Sequence, residues 1–229
     1  PKAAPLLAEL LQDSQVPTEE HPRLLRALDF HEGELHQVAL TTLLQGDAQR
    51  HPATYLEAFQ RATPEFVKSH PRVTEQVESA LIASKGTVTF VDLVARFKRR
   101  DLVGHLMDMV RSGPEQEPGI RAADQIIAFH KGDLIGRELA DPSRSAPFIK
   151  ALGFVDNEHS RNYLTGVVTN ESQPEATRLL AIAAMGQSSV PARELVRLVE
   201  QNKLPKEFLA PAVRALTLSP GPGTRMFAA

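Results

Sequence analysis

Short apolar blocks at helical spacing make up most of this chain, and Pro, Gly or Asn separates one block from the next. In an early block, Leu24, Leu25 and Leu28 follow Pro22, which suits the first turn of a helix because its missing N–H breaks no hydrogen bond there. The pattern predicts twelve to fourteen amphipathic helices of about 8 to 15 residues, joined by loops of about 2 to 6 residues. Further apolar blocks contain Leu35, Val38 and Leu43; Val73, Val77, Leu81 and Ile82; and Leu209, Ala212, Val213 and Leu216. We expect Leu106 and Leu180, each in the middle of an apolar stripe, to be core positions.

The composition favours helices over strands. The 229 residues include 28 Leu and 28 Ala, but only ten Phe, two Tyr and no Trp. Leu and Ala favour helices, whereas aromatic and β-branched residues favour sheets. Residues 87–91 have the composition of a strand, but the apolar positions that continue to Phe97 keep a helical period. Because an isolated strand leaves its backbone unpaired, we expect a helix capped by Thr87 and an all-α fold.

A loose internal repeat predicts how the helices are arranged. Three similar helices end in Ala-Leu-Gly at 151–153, Ala-Met-Gly at 184–186 and Ala-Leu-Thr at 215–217, at separations of 33 and 31 residues. This is the length of one helical hairpin in proteins built from two-helix repeats. The sequence therefore predicts a HEAT-like α-solenoid of antiparallel helix pairs, with residues 1–229 forming a single helical-repeat domain.

Several classes of site are excluded by residue types or motifs that the chain lacks. It has no cysteine, which rules out disulfides, thiolate zinc sites, a cysteine nucleophile and covalent c-type haem. No glycine-rich phosphate loop and no Gly-x-Ser-x-Gly nucleophile elbow occurs. The longest unbroken apolar run, residues 179–185, is far shorter than the roughly 20 residues of a membrane span. We therefore predict no membrane span.

The N-terminal sequence contains no basic region followed by an apolar stretch, so it predicts no signal peptide. The chain begins at Pro1 rather than at Met, as expected for a mature product or for a piece excised from a longer chain. A chain without thiols suits the cytosol and the periplasm equally well. The residues alone therefore leave the compartment open.

Two histidines resemble part of a zinc-peptidase motif. That motif places its histidines four residues apart on one face of a helix. His31 and His36 are five residues apart, which puts them about 140° apart around a helix, and Gly33 favours a break between them. We interpret residues 31–36 as a solvated connection between two helices.

Three further histidines, His21, His51 and His70, each precede a proline at the predicted start of a helix. A metal site would require them to converge, whereas a non-helical residue followed by proline is the usual way to begin a helix. We therefore expect these His-Pro pairs to be helix starts and not metal ligands. His105, His130 and His159 are expected at the surface or at helix ends, and the scattered carboxylates Glu19, Glu20, Asp29, Glu32 and Glu34 are expected to be solvated. The sequence thus predicts no catalytic residue, no metal and no cofactor.

The densest positive run is Arg96, Lys98, Arg99 and Arg100, followed by Asp101. HEAT-like folds include DNA-binding proteins and a family of alkylpurine DNA glycosylases of about this size. Such proteins need a basic groove over several repeats and aromatic platforms that stack bases. Here the run is local and the formal net charge is −2, so we expect no nucleic-acid binding. A HEAT-like nucleic-acid-binding protein or glycosylase-like enzyme is the alternative function.

Four stretches of the chain resemble a known family. They are residues 24–31 with the helix that ends at 42–44, residues 93–97 with Asp101 and Leu106, residues 120–123, and the closing stretch with 196–199, 202–205 and 212–216. Together they resemble the HEAT-like helical region of large secreted proteins of planctomycetes and their relatives. In that family a β-propeller similar to sugar dehydrogenases comes first, and a haem-binding module with Cys-x-x-Cys-His follows the helical region.

The resemblance implies a periplasmic or secreted protein in which this region is a spacer and docking surface. Its partners would be another protein or the neighbouring domains, namely the propeller and the haem module. The redox residues of the family match no position of this chain. We therefore expect a non-catalytic scaffold or protein-interaction domain, and not an enzyme.

The C-terminal end of the chain suggests weak self-association. Residues 220–223, Pro-Gly-Pro-Gly, break the chain after an apolar helix, and Thr224 is placed to cap a further helix that ends after a few residues. A terminal repeat needs a polar outer face because nothing covers it. We expect part of the apolar face near residue 216 to be exposed.

Overall fold

The computed structural model describes residues 3–31, 33–46 and 51–219, and within these ranges the chain forms fifteen α-helices, three short 3-10 helices and no β-strand. The all-α class predicted from the composition is therefore confirmed. The α-helices are α1 (Ala3–Leu10), α2 (His21–Asp29), α3 (Gly33–Leu44), α4 (Pro52–Phe59), α5 (Pro64–Ser69), α6 (Pro71–Ala83), α7 (Val88–Arg96), α8 (Val103–Ser112), α9 (Glu117–Ala128), α10 (Gly132–Ala140), α11 (Ser145–Phe154), α12 (Glu158–Thr169), α13 (Glu175–Met185), α14 (Ser189–Glu200) and α15 (Leu209–Leu218). The 3-10 helices are Thr18–Glu20, Arg100–Leu102 and Lys206–Phe208.

The local signals in the sequence place the helix ends well. Proline stands in the first turn of α2, α4 and α6, as the three His-Pro pairs predict. The predicted cap of α7 is present, since the Thr87 hydroxyl accepts a hydrogen bond from the Phe90 N–H at 3.4 Å. Residues 88–96 are helical, so the strand interpretation of this segment is excluded.

The chain separates into two compact units, Pro1–Arg99 and Arg100–Ala229. The assignment of residues 1–229 to one domain remains a prediction. In the first unit, α1 packs against α2 and α3, α4 packs against α2 and α3, and α6 packs against α5 and α7. Its largest fully buried side chains include Leu25, Leu28, Tyr55, Phe59 and Phe90.

The second unit contains contacts between alternate helices. Helix α11 packs against α9 and α13, α13 packs against α15, and α12 packs against α14. Each helix of this series also contacts its neighbour in the chain, as α12 contacts both α11 and α13. Stacked helix pairs produce this combination of contacts. The solenoid arrangement of the chain remains a prediction.

Polar contacts inside each unit repeat at about one hairpin length. In the first unit several contacts join residues 30 to 34 apart, as in the Arg61–Asp29 pair at 2.7 Å, whose partners are 32 residues apart, whereas the Arg99–Glu78 pair spans 21 residues. In the second unit Asn157 donates to Asp124 at 2.9 Å over 33 residues, and the Val190 N–H donates to Asp156 at 2.6 Å over 34 residues. These separations along the sequence agree with the 33 and 31 residues that separate the three similar helix ends.

Some apolar positions of the predicted helical blocks are exposed. Ile82 is 75% exposed, and Leu35, Val38 and Val213 are also on the surface. Each lies at the edge of an apolar stripe, where the neighbouring helix covers only the central positions. Leu106 is fully buried, as predicted.

One predicted core position is not buried, and the predictions for the C-terminal end lie outside the described residues. Leu180 is half-buried rather than in the core. The predicted turn at 220–223 and the helix capped by Thr224 fall outside the described residues, as does Glu32. Among the helices that the structure describes, none has both the length and the apolar character needed to cross a membrane.

Candidate functional site

A groove of about 680 Å³ lies in the first unit, between α4, α6 and the start of α7. Tyr55, Leu56 and Phe59 of α4 form one wall, and α6 contributes Ala80 and Ala83 opposite them. A ligand pocket commonly has this size and a largely apolar lining.

The polar end of the groove is held by Gly46, which follows α3. The Gln76 side chain of α6 donates from Nε2 to the Gly46 carbonyl at 2.7 Å. A Cβ on residue 46 would meet the ends of the Gln12 and Tyr55 side chains, which would have to shift to admit it. The contact fixes the Gln76 amide at the groove, where its Oε1 is buried and has no hydrogen-bond partner within the described ranges.

His21 and His51 form a second cluster in the same unit. Their ring centroids are 4.7 Å apart with the rings nearly perpendicular, and His21 Nδ1 lies 2.6 Å from the Thr54 hydroxyl. Burial, and then the nearby His51, lower the pKa of His21, although the Val16 backbone and Glu19 act in the opposite direction. Two of the three His-Pro histidines therefore meet, which the sequence analysis did not anticipate.

The other histidines do not join this pair. The ring of His70 stacks on Phe66 at 4.3 Å, and its Nδ1 lies 2.8 Å from the Phe66 carbonyl. His36 lies within α3 and its Nε2 is buried, so the interpretation of residues 31–36 as an entirely solvated connection is wrong. Over residues 3–31, 33–46 and 51–219, no group of three or more His, Cys, Asp or Glu side chains is arranged to hold a metal ion.

The second unit contains an ion pair between a buried carboxylate and a partly exposed arginine. Glu138 of α10 is only 5% exposed, and its Oε1 accepts a hydrogen bond from Arg111 of α8 at 2.9 Å. The Arg144 guanidinium lies 3.8 Å from the same oxygen, and Asp108 accepts a hydrogen bond from Arg111 at 2.7 Å. The hydrogen bond to Glu138 is the main cause that raises the pKa of Arg111. These groups line a polar cavity of about 400 Å³.

Two residues of the basic run, Arg96 and Arg99, make contacts within the first unit. Arg96 donates from Nε to the Ala62 carbonyl at 2.8 Å. Arg99 forms an ion pair with Glu78 of α6. These two cations therefore stabilise the packing of α7 against the preceding helices. Absence of nucleic-acid binding remains a prediction.

A smaller groove of about 370 Å³ lies between α13 and α15. Leu179 and Ala183 of α13 and Leu218 of α15 form its apolar surface, and Arg214 provides a charge. Leu218 is 76% exposed. Leu216, near which the sequence predicts an exposed apolar face, is itself buried and is not among the residues that line this groove.

Comparisons with the profiles of known families, with curated proteins and with solved structures found no match. The description of these sites therefore depends on the residues of this chain alone.

Sequence analysis missed the residues of the larger groove and the buried Glu138. One signal for the groove was present, since Arg72, Gln76 and Ala80 recur at intervals of four residues in α6 and Ala83 follows. Such residues share one face of a helix. Nothing in the sequence distinguishes Glu138 from a solvated carboxylate, because its burial depends on α8 and on the segment that follows α10.

Proposed function

We propose that this chain is a non-catalytic helical-repeat scaffold that binds a protein partner. The observation that carries the proposal is the recurrence of polar contacts between residues 27 to 35 apart in each unit, together with the alternate-helix packing of the second unit. Repeat proteins use such stacks to present an extended surface, and partners bind across several repeats.

The groove between α13 and α15 is the surface that best suits a partner in the second unit. It combines exposed apolar side chains, Ala183 and Leu218, with the cation of Arg214. Apolar patches on the surface of a protein often mark sites of interaction. An apolar segment that carries a carboxylate would complement this groove.

The resemblance to the planctomycete-type family supports a specific context for the scaffold. In that context the chain is a spacer and docking surface of a larger periplasmic or secreted redox protein. Its partners are then the propeller and the haem module of the same polypeptide. The coding sequence around this region tests the context directly, since a Cys-x-x-Cys-His module downstream is expected.

Photo-cross-linking of the intact gene product in its native cells tests the docking surface. A photoreactive phenylalanine analogue at Ala183, in the groove, is expected to give a discrete adduct with another domain or a second protein. The matched control is the same analogue at Arg193, which is exposed on α14. Equal labelling from both positions, or no adduct from Ala183, contradicts the assignment of this groove.

A DNA-binding measurement separates the scaffold from the nucleic-acid alternative. We expect no saturable change in the fluorescence anisotropy of a labelled duplex. Binding that weakens steeply as salt is raised is the signature of phosphate contacts, and it would support the alternative.

A further inference from the structure

We propose that the groove between α4 and α6 binds a small amphiphile, one that carries a carboxylate and a neighbouring N–H or O–H donor on an alkyl chain. The groove lies in the first unit, and the proposal is independent of the scaffold function. It is argued from the order of side chains along α6 and from the chemistry of the opposite wall.

The first observation is the charge at one end of the groove. Among the described residues that line it, Arg72 is the only charged one. It forms no ion pair with any residue that the structure describes, and its side chain is exposed at the first turn of α6. A guanidinium at the end of an apolar groove binds a carboxylate through two parallel hydrogen bonds. The charge therefore selects an anion.

The second observation is the oriented amide of Gln76. Its Nε2 is held by the Gly46 carbonyl, and its buried Oε1 has no partner within the described ranges. A buried acceptor without a donor costs free energy, and a ligand's donor recovers it once a rotation of the amide opens Oε1 to the groove. Gln76 follows Arg72 by one helical turn, so the ligand's donor must lie close to its carboxylate.

The third observation is the apolar surface beyond these two groups. Ala80 and Ala83 continue the same face of α6 towards α7, and Tyr55, Leu56 and Phe59 lie opposite. From Arg72 to Ala83 the helix rises by about 16 Å. This length and a volume of about 680 Å³ suit an alkyl chain, whose burial drives binding.

N-dodecanoylglycine is the probe for this site, because its carboxylate, its amide N–H and its alkyl chain follow the order of Arg72, Gln76 and the alanines. Isothermal titration calorimetry below the micelle concentration is expected to show one binding site per chain. N-dodecanoylsarcosine differs only by a methyl group that removes the N–H, and we expect it to bind about fivefold more weakly. 3-Hydroxydodecanoate supplies an O–H donor in place of the amide N–H. Comparing its affinity with that of N-dodecanoylglycine shows whether the site prefers an O–H or an N–H donor.

Two substitutions test the residues without touching the core. Arg72→Gln is expected to weaken the binding of N-dodecanoylglycine about tenfold, and to leave the binding of dodecanol unchanged. Ala83→Trp fills the groove from an exposed position and is expected to abolish binding of every probe. The matched controls are Arg193→Gln and Ala128→Trp, at exposed positions of the second unit. Circular dichroism checks that each variant is folded.

The results separate cleanly. Equal affinity for the glycine and sarcosine derivatives would overturn the role of Gln76, and an unchanged affinity of Arg72→Gln would overturn the role of the charge. Binding that Ala83→Trp leaves intact, or that does not saturate at one site per chain, would overturn the site itself.

Discussion

Gly153 of α11 packs against the backbone of Ala184 in α13, so closely that a Cβ on residue 153 would lie 2.8 Å from the Ala184 carbonyl oxygen. The next repeat has the same relationship, since a Cβ on Gly186 would lie 2.5 Å from the carbonyl oxygen of Ala215. In each case the glycine that ends one repeat motif meets the alanine that begins the next. The loose sequence repeat is therefore a packing motif, in which the missing side chain lets alternate helices approach.

Substitution of these glycines is expected to destabilise the second unit. Gly186→Ala places a methyl group against backbone atoms that cannot move independently, and overpacking of this kind costs about 1–3 kcal/mol. Urea unfolding followed by circular dichroism measures the change. Gly166→Ala is the matched control, because nothing lies within 4 Å of a Cβ at that position of α12. The control should be stabilised by about 0.5–1 kcal/mol, and equal losses for both variants would contradict the packing motif.

Stability is expected to rise with pH as His21 loses its proton. The pKa of His21 is lower in the folded chain than in the unfolded chain, so the unfolded state binds more protons between these two values. The stabilisation is complete above the ordinary histidine pKa of about 6.5 and is lost as the pH falls towards the folded value. Urea midpoints between about pH 5 and pH 7.5 test this slope.

His51→Asn is the informative variant for that slope. It removes the neighbouring imidazole that helps to lower the pKa of His21, so the pH dependence should become shallower. His159→Asn, at an exposed position in the first turn of α12, is the control and should leave the slope unchanged. The same slope in wild type and His51→Asn would show that burial alone sets the pKa of His21.

The Arg111–Glu138 pair is expected to show strong coupling. Removing Glu138 leaves Arg111 with only its exposed partner, Asp108. Because Arg111 itself is partly solvated, the free energy of unfolding should fall by about 1–3 kcal/mol. A double-mutant cycle with Arg111→Met and Glu138→Gln measures the interaction free energy. The exposed Arg137–Asp133 pair at 3.2 Å provides the control cycle, for which we expect below about 0.5 kcal/mol. Similar interaction free energies in the two cycles would show that the burial of Glu138 does not strengthen its pair with Arg111.

Weak self-association through α15 is also expected. Leu218 and Val213 expose apolar surface at this helix, and association would cover it. Light scattering over a concentration series should show a rising mean mass that Leu218→Glu suppresses. Ile82→Glu, at an equally exposed apolar position of α6, is the control and should have no effect. If wild type and Leu218→Glu remain equally monomeric, this face does not associate.

The local interactions of this chain could be predicted from the sequence because they depend on residues within one turn of each other. Thr87 accepts the Phe90 N–H at the start of α7, and Pro52 and Pro71 begin helices, since these effects need no distant partner. The all-α class follows from the abundance of Leu and Ala for the same reason.

Which polar side chains meet in the folded chain depends on the tertiary structure alone. His21 and His51 meet only because α2 and α4 pack together, and Arg72 and Gln76 face a groove only because α4 stands opposite α6. Burial of Glu138 likewise needs Arg111 from another helix. The repeat period was readable in the sequence, but the reason for its glycines was not, because the atoms that exclude a side chain at residues 153 and 186 belong to the next repeat.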